Sequence, residues 1–296
     1  MDVQELFLPL KKGKATYVRI VKGNGAGIPL LILHGGPGST HNSLELLDPL
    51  SEDRPLIFYD QFGCGLSSVS TRKEDYSAEI WIEELDALRK YLGLKDVFLL
   101  GHSWGGMLLQ LYLQRIGQNG IKGAVISSSL CSAELWKEET HRLVKSLSSE
   151  DQKAIKEAEE SGHYNSPSFL SANEHYMKMT ISDIPSKGTV PECLRRKKNT
   201  GTLSYLSAWG ESEFAPTGSL KDYDTRTFLP NLTCPTLILY GGKDESTETQ
   251  SETMFDLIGG KGKKLHCFSS SRHLTYYEAN EEYLEIVGEF LRKAGH

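Results

Sequence analysis

Apolar and polar positions along the first 130 or so residues follow two alternating patterns. Short apolar runs of four or five residues are typical of strands buried on both faces of a sheet, whereas Ile80–Leu92 has a helical pattern. Because strands that alternate with helices favour a parallel sheet with crossover connections, this pattern predicts the α/β class. The strand runs are Pro29–Leu33, Leu56–Tyr59, Val97–Leu100 and Gly123–Ile126.

The pattern changes between about residues 132 and 223. Strand-like runs nearly disappear there, and polar helical segments such as Glu134–Leu147 and Glu150–Glu160 take their place. Strands resume at Pro235, and an amphipathic helix over Glu281–Lys293 closes the chain. The predicted domains are a core of residues 1–131 and 224–296 and an inserted helical cap of residues 132–223.

The string Gly101–Gly106 carries the strongest chemical signal. It reads Gly-His-Ser-Trp-Gly-Gly, follows an apolar run and precedes Met107–Leu113, which consists of good helix formers. A strand, a sharp Gly-x-Ser-x-Gly turn and a helix form the context of a nucleophile elbow, in which the serine hydroxyl stands above the sheet. This context predicts Ser103 as a catalytic nucleophile. The alternative is a structural turn that needs glycine.

A second glycine-rich turn, His34–Gly38, follows an early strand. Such a turn can supply one backbone N–H of an oxyanion hole, and Trp104 N–H supplies the other. Proline has no N–H, so Gly35 and Gly36 are the possible donors. We favour Gly36 as the donor and expect Gly35 to contact substrate; the alternative is a tight turn without a chemical role.

The remaining partners of a serine nucleophile follow late strands. Thr236–Tyr240 runs into Gly-Gly-Lys-Asp, which places Asp244 just after a strand, and a later apolar stretch leads through three serines to His273. The order Ser, Asp, His is that of an α/β-hydrolase triad, so we predict Asp244 as the orienting acid and His273 as the base. Asp256 is the alternative acid, and His266, inside a strand pattern, is predicted to be structural.

Composition agrees with an ordinary soluble enzyme. The 296 residues are 39% hydrophobic and 24% charged, with a net charge of −6. The densest basic run, Arg195–Lys198, indicates a solvated helix end, and no apolar stretch approaches the roughly 20 residues of a membrane helix. Five scattered cysteines predict reduced thiols and a cytoplasmic location, with Cys64 packed rather than reactive. We expect no metal, organic cofactor, nucleic acid or membrane as a partner.

Three motifs taken together resemble one family. His34–Gly38, the segment Asp60–Ser67 (Asp-Gln-Phe-Gly-Cys-Gly-Leu-Ser) and the elbow Gly101–Gly106 resemble the proline iminopeptidases, including the tricorn-interacting aminopeptidases of archaea. The resemblance implies an α/β-hydrolase fold with a mostly parallel sheet and a helical cap. It also implies a serine hydrolase that releases N-terminal residues from short peptides or amino acid amides through an acyl-enzyme. Amino acid amidases carry the same motifs, so the motifs identify the family better than the substrate.

The resemblance also implies a site for the substrate's amino terminus. In the archaeal type, two glutamates bind the free amine, one in a Glu-Phe segment of the cap and one directly after the triad aspartate. Glu213 and Glu245 match these positions. The alternative is that both are solvated loop acids. Tyr205 and Trp209 are candidates for lining an apolar substrate pocket, with helix packing as their alternative.

Two other functions remain open at this point. An esterase or amidase acting on an ester, lactone or biosynthetic amide uses the same triad, and a pocket without Glu213 and Glu245 facing Ser103 would favour it. A non-catalytic binding protein of the same fold is the second alternative, and the intact triad residues oppose it. The preferred N-terminal residue and the oligomeric state have no signature in the sequence.

Overall fold

An eight-stranded sheet forms the centre of the computed structural model, which describes residues 2–10, 13–184 and 190–295. The strands are β1 (Asp2–Pro9), β2 (Ala15–Lys22), β3 (Leu30–Leu33), β4 (Leu56–Tyr59), β5 (Val97–His102), β6 (Ile121–Ser127), β7 (Thr236–Gly241) and β8 (Lys263–Phe268). Their order is β1-β2-β4-β3-β5-β6-β7-β8. Strands β3 to β8 run parallel, whereas β1 pairs antiparallel with β2, and β2 with β4. The predicted mostly parallel α/β fold is confirmed.

Helices connect the strands and cover both faces of the sheet. They are α1 (Ala78–Tyr91), α2 (Trp104–Ile116), α3 (Ala133–Val144), α4 (Ser149–Ser161), α5 (Pro167–Thr180), α6 (Glu192–Arg195), α7 (Thr202–Ala208), α8 (Glu248–Leu257), α9 (Thr275–Glu278) and α10 (Asn280–Ala294). A 3₁₀-helical segment, His41–Glu52, links β3 to β4. No helix of the described residues is long and apolar enough to cross a membrane.

Helix α1 illustrates why these segments fold as they do. Its buried apolar residues Trp81, Ile82, Leu85 and Leu88 lie on one face at helical spacing, and basic residues in its last turn complement the helix dipole. That face packs with α2 in one large apolar cluster on one side of the sheet. On the opposite side, a second cluster joins α10 to the 3₁₀-helical segment. The sheet is therefore packed on both faces, which gives the loops at its edges a rigid base.

Helices α3 to α7 lie in the chain between β6 and β7, where the cap was expected. An isolated antiparallel bridge pairs Ser132 with Asp224, and the flanking backbone bonds Ala133 N–H to Tyr223 O and Thr225 N–H to Cys131 O are both 2.8 Å long. The inserted segment thus leaves and re-enters the core at one point. Part of it has its own apolar cluster, formed by α4, α5 and neighbouring residues. The boundaries at 132 and 223 stay a prediction.

The hairpin β1–β2 was not predicted from the sequence. Nearly all residues of β1 are exposed or half-buried, so the strand lacks the apolar run by which the central strands are found. Its position is set by the register with β2, from Asp2 opposite Lys22 to Pro9 opposite Ala15.

Candidate active site

The candidate catalytic residues lie beyond the carboxyl ends of parallel strands β5, β7 and β8, and the His34–Gly38 loop follows β3. Because parallel strands end at the same edge of a sheet, these loops meet there. The site is therefore a product of the sheet order and not of sequence proximity.

Ser103 occupies the strained turn expected of a nucleophile elbow. Its φ of 56° and ψ of −123° are unusual for a residue with a side chain, and it directly precedes α2. The turn is held because Ser103 N–H donates to Ser127 O at 2.8 Å and Ser103 O accepts from Ser129 Oγ at 2.8 Å. The first N–H groups of α2 have no partner within the helix, so they are available to an anion near Ser103.

Asp244 meets His273 as the chain order predicted. Its Oδ1 lies 2.7 Å from His273 Nδ1 and also accepts from Ser246 N–H at 2.8 Å. Both side chains are buried. Because Oδ1 of an ionised carboxylate can only accept, Nδ1 carries the proton and Nε2 is left free to act as a base. Asp256, the alternative acid, is exposed on α8 and does not take this position.

The loop that carries His273 is attached to the end of cap helix α5. His273 N–H donates to Thr180 O at 2.9 Å, Leu274 N–H to Ile181 O at 3.4 Å, and Arg272 Nη1 to Lys178 O at 2.7 Å. Ser103 Oγ forms no hydrogen bond with His273 among the described residues. Catalytic hydrogen bonds of this kind often tighten only when substrate is bound.

The His34–Gly38 loop lies against the nucleophile. A Cβ added to Gly35 would lie 3.1 Å from Ser103 Cβ, a tight contact that would require one of the two residues to shift. Gly36 has a φ of +114°, which L residues with side chains rarely adopt. The loop thus brings the predicted donors of Gly35 and Gly36 beside Ser103.

Two carboxylates lie near the triad, and neither forms an ion pair with a Lys or Arg in the described part of the chain. Glu245 is buried, and its Oε2 has no hydrogen-bond partner in the described part of the chain. Burial raises the pKa of Glu245 well above its usual range, and the nearby charges of Glu213 and Asp244 raise it further. Burial also raises the pKa of Glu213, which is half-buried and accepts a hydrogen bond from Tyr205 Oη.

The two predicted aromatic residues are both close to this acidic pair. Tyr205 binds Glu213 through its hydroxyl, so it does more than line an apolar wall. Trp209 is buried, packs edge-to-face on Trp136 at 5.6 Å between ring centroids, and leaves its Nε1–H without a partner in the described chain. Trp136 in turn donates from Nε1 to Glu213 O at 2.8 Å.

Comparison with known proteins places this geometry in a family. The family model of the alpha/beta hydrolase fold matches residues 28–279. A proline iminopeptidase of Lactobacillus helveticus is 42% identical over 294 residues, which cover 98% of each chain. One from Clostridioides difficile is 42% identical over 293 residues, covering 98% of this chain and 99% of that protein. The chain belongs to the proline iminopeptidase family of α/β-hydrolases.

Solved structures agree with this membership. The crystal structure of proline iminopeptidase from Mycobacterium smegmatis superposes with a TM-score of 0.86 at 27% identity and covers 99% of both chains. The predicted resemblance, fold class and enzyme family are therefore confirmed.

Several residues of the site were missed or left without a role by sequence reasoning. Tyr176 of α5 is buried with an unpartnered hydroxyl, and the carboxylates of Glu245 and Glu213 help to raise its pKa. His102 packs its ring 4.8 Å from that of His273. No local sequence pattern points to Tyr176. Gln61 and His34, in contrast, belong to the motifs Asp60–Ser67 and His34–Gly38, but the sequence assigned no role to either residue. Cys64 is buried as expected, and its Sγ donates to Gln61 O at 3.2 Å.

Proposed function

We propose that this protein is a serine aminopeptidase that releases one N-terminal residue from short peptides or amino acid amides. The observation that carries the proposal is the acidic pair Glu213 and Glu245 beside the triad, with no Lys or Arg in ion-pair contact among the described residues. A dry pocket that holds two carboxylates without a cation suits a ligand that brings its own positive charge.

The triad geometry supports the following sequence of steps. Ser103 Oγ attacks the carbonyl carbon of the first residue while His273 Nε2 takes the hydroxyl proton. The resulting oxyanion accepts hydrogen bonds from the N–H groups of Trp104 and Gly36. Collapse breaks the C–N bond, and His273 returns the proton to the leaving amine. Water then attacks the acyl-enzyme in the same way, which releases the amino acid and restores Ser103.

The ammonium of the substrate binds the acidic pair. Tyr205 donates to Glu213, which orients that carboxylate and leaves its other lone pairs for the ligand. Glu245 directly follows Asp244 in the chain, so one loop carries both half of the amine site and the acid of the triad. This arrangement limits cleavage to the first residue, because the acidic pair is reached only by an amine close to the scissile carbonyl.

We infer the class of released residue from the aromatic residues near Glu213 and from the relatives' names. Trp209 and Trp136 pack edge-to-face near Glu213, and a pocket wall formed by them would suit a small apolar side chain such as that of proline. Proline's secondary ammonium still pairs with a carboxylate, and the relatives are named proline iminopeptidases.

We also propose a cytoplasmic location for the protein, because its five free cysteines agree with a reducing compartment.

A panel of aminoacyl p-nitroanilides with N-acetylated counterparts tests this proposal. Acetylation removes the positive charge and leaves both carboxylates unpaired, so we expect kcat/KM to fall by at least about a hundredfold. Glu213→Gln and Glu245→Gln should reduce turnover of free-amine substrates far more than turnover of an ester such as p-nitrophenyl acetate. Ser103→Ala, which should be folded and inactive, controls for contaminating activity. Equal rates on free and acetylated substrates would contradict the proposal and favour the esterase or amidase alternative.

A further inference from the structure

Gln61 is buried, and its side chain bonds to His34, at the start of the loop that carries Gly36, and to the indole of Trp104. Its side-chain Nε2 donates to His34 O at 2.9 Å, and its Oε1 accepts from Trp104 Nε1 at 2.7 Å. A carbonyl only accepts and an indole N–H only donates, so these two partners determine which end of the amide is which. We propose that Gln61 is a positioning residue that holds the oxyanion-hole donors of Gly36 and Trp104 in place. The inference rests on the serine-hydrolase chemistry of the proposed function, not on the ammonium site.

The first link runs through the ring of His34. Gln61 N–H donates to His34 Nε2 at 3.0 Å, so Nε2 is an acceptor and the ring proton is on Nδ1. Nδ1 lies 2.8 Å from Gly35 O and donates to it. Burial lowers the pKa of His34 to about 4, so the ring keeps this neutral form at working pH.

The planarity of the peptide bond carries this contact to the oxyanion donor. Gly35 C=O and Gly36 N–H belong to one planar trans unit, so they point in opposite directions. The hydrogen bond from His34 Nδ1 to Gly35 O therefore fixes the direction of Gly36 N–H. In the same way, the bond from Gln61 Nε2 to His34 O fixes the direction of Gly35 N–H. Gly36 has no side chain and a φ of +114°, so its own sequence does little to restrain it.

The second link runs through the side chain of Trp104. The bond from Trp104 Nε1 to Gln61 Oε1 anchors the indole, whose ring also packs edge-to-face on Trp81 with centroids 5.2 Å apart. Trp104 is the first residue of α2 and supplies the other proposed donor from its backbone. One side-chain amide thus bonds both to His34, at the start of the loop that carries Gly36, and to Trp104, and so links the two parts of the proposed oxyanion hole.

Gln61 is itself held by rigid neighbours. The next residue, Phe62, donates from its N–H to both carboxylate oxygens of Glu84, at 3.0 and 2.9 Å, and its carbonyl accepts from Trp81 Nε1 at 2.9 Å. On the other side, Asp60 Oδ1 accepts from His41 N–H at 2.9 Å. Because donors misplaced by a fraction of an ångström stabilise the oxyanion poorly, such support has a direct effect on the rate.

The test compares Gln61→Met with the wild type on prolyl p-nitroanilide and on p-nitrophenyl acetate. The substitution removes the side-chain bonds to His34 O and Trp104 Nε1 and leaves the backbone bond to His34 Nε2 in place. The concentration of active sites is measured by complete labelling of the serine with a fluorophosphonate. We expect kcat per active site to fall by about tenfold to a hundredfold on both substrates, while KM changes by less than about threefold. The aldehyde L-prolinal forms a hemiacetal with Ser103 and needs the oxyanion hole, so its Ki should rise in parallel. The Ki of the product L-proline should stay unchanged.

Gln110→Met is the matched control. Gln110 is also a buried glutamine, with bonds from its Nε2 to Gly106 O and Leu130 O and to its Oε1 from Thr225 Oγ1, but it does not contact the His34–Gly38 loop. The Gln110→Met substitution should lower Tm, but it should not raise the Ki of L-prolinal relative to the Ki of L-proline. A Gln61→Met protein with a lowered Tm but wild-type kcat per site would overturn the inference and leave Gln61 a structural residue.

Gln61→Glu keeps the test valid if the methionine variant does not fold. In its protonated form Glu can still donate to His34 O, whereas the carboxylate cannot, so activity relative to the wild type should fall as pH rises. The surrounding titratable groups, His34, His41, Asp60, Cys64 and Glu84, are present in both proteins, so the ratio reports the change made at position 61 together with its effect on these neighbours. A ratio independent of pH would count against the proposal. If the wild-type protein hydrolysed p-nitrophenyl acetate but not prolyl p-nitroanilide, the aminopeptidase proposal would be wrong. The comparison of Gln61→Met with the wild type on the ester would still test the role of Gln61.

Discussion

At the scale of single residues, His273 depends on one carboxylate for its orientation. Asp244 Oδ1 accepts from Nδ1 at 2.7 Å, and the side chain of Asp244 is completely buried. In the proposed mechanism the acid selects the tautomer that leaves Nε2 able to take a proton, and it stabilises the imidazolium that forms.

Asp244→Asn should leave the fold intact but lower kcat by roughly 10⁴, by analogy with other Ser-His-Asp enzymes, because the amide favours the wrong tautomer. Steady-state kinetics with prolyl p-nitroanilide, together with Tm, measures this. Asp256→Asn, which changes an exposed residue of α8, is the control and should retain full activity. A near-normal rate for Asp244→Asn would mean that another group orients the base.

The site residues that can be predicted from the sequence are those marked by a local pattern, whereas contacts between distant loops cannot be predicted in this way. Ser103, Asp244 and His273 were found because each follows an apolar strand, and the sheet then brings those loops together. The hydrogen bond from Tyr205 to Glu213 and the bridge from Gln61 to Trp104 were not predicted, because side-chain contacts across folded loops have no local pattern. The motif Asp60–Ser67 was noticed, but only the structure connects Gln61 to the donors.

At the scale of elements, Glu84 joins three parts of the fold. It lies on α1, accepts hydrogen bonds from Phe62 N–H of the motif loop, and accepts another from Thr16 Oγ1 of β2. Burial raises the pKa of Glu84 to about 7, despite these bonds. A raised pKa in the folded state stabilises the protein most below the unfolded pKa, and this contribution is lost as pH rises through about 7.

Glu84→Gln removes this titration. We expect the free energy of unfolding of the variant, relative to the wild type, to become more favourable by about 2 kcal/mol between pH 5 and pH 8. Urea denaturation at several pH values measures the difference, and any constant loss from the altered hydrogen bonds cancels. Glu83→Gln, one residue away and exposed, should give the wild-type slope. Parallel pH profiles for Glu84→Gln and the wild type would contradict the raised pKa.

The helices and strands differ in the same way: those with a clear pattern in their own sequence were predicted, and those that depend on pairing with another segment were not. The predicted helix Ile80–Leu92 forms over Ala78–Tyr91, because its apolar face is visible in the sequence. The predicted closing helix Glu281–Lys293 forms over Asn280–Ala294. The hairpin β1–β2 was missed, since an exposed edge strand owes its conformation to its partner's hydrogen bonds and not to its own pattern.

At the scale of the whole molecule, the proposed amine site opposes folding stability. Glu245 is buried near Glu213 and Asp244, and these carboxylates and the loss of hydration raise its pKa. The unfolded chain ionises this group more readily than the folded protein does. The resulting destabilisation grows as pH rises from the unfolded pKa towards the folded one.

Glu245→Gln should therefore stabilise the protein while weakening substrate binding. We expect the free energy of unfolding to rise by about 1–2 kcal/mol at pH 8, and by less at pH 5, because the neutral amide has no proton to lose. Thermal or urea unfolding at the two pH values measures this. Glu248→Gln, nearby in sequence but more exposed, controls for the loss of a negative charge. A variant less stable than the wild type at pH 8 would show that the Glu245 carboxylate is compensated by a partner.

The attachment of α5 to the His273 loop bears on protein engineering. Exchanging residues 132–223 for the cap of another α/β-hydrolase would remove the carbonyl acceptors at positions 178, 180 and 181. The base would then lose its support even though every triad residue was kept. A chimaera needs a graft whose helix ends in the same place against Arg272–Leu274. Altering substrate scope is therefore better attempted by point substitutions along α7 than by transplanting a foreign cap.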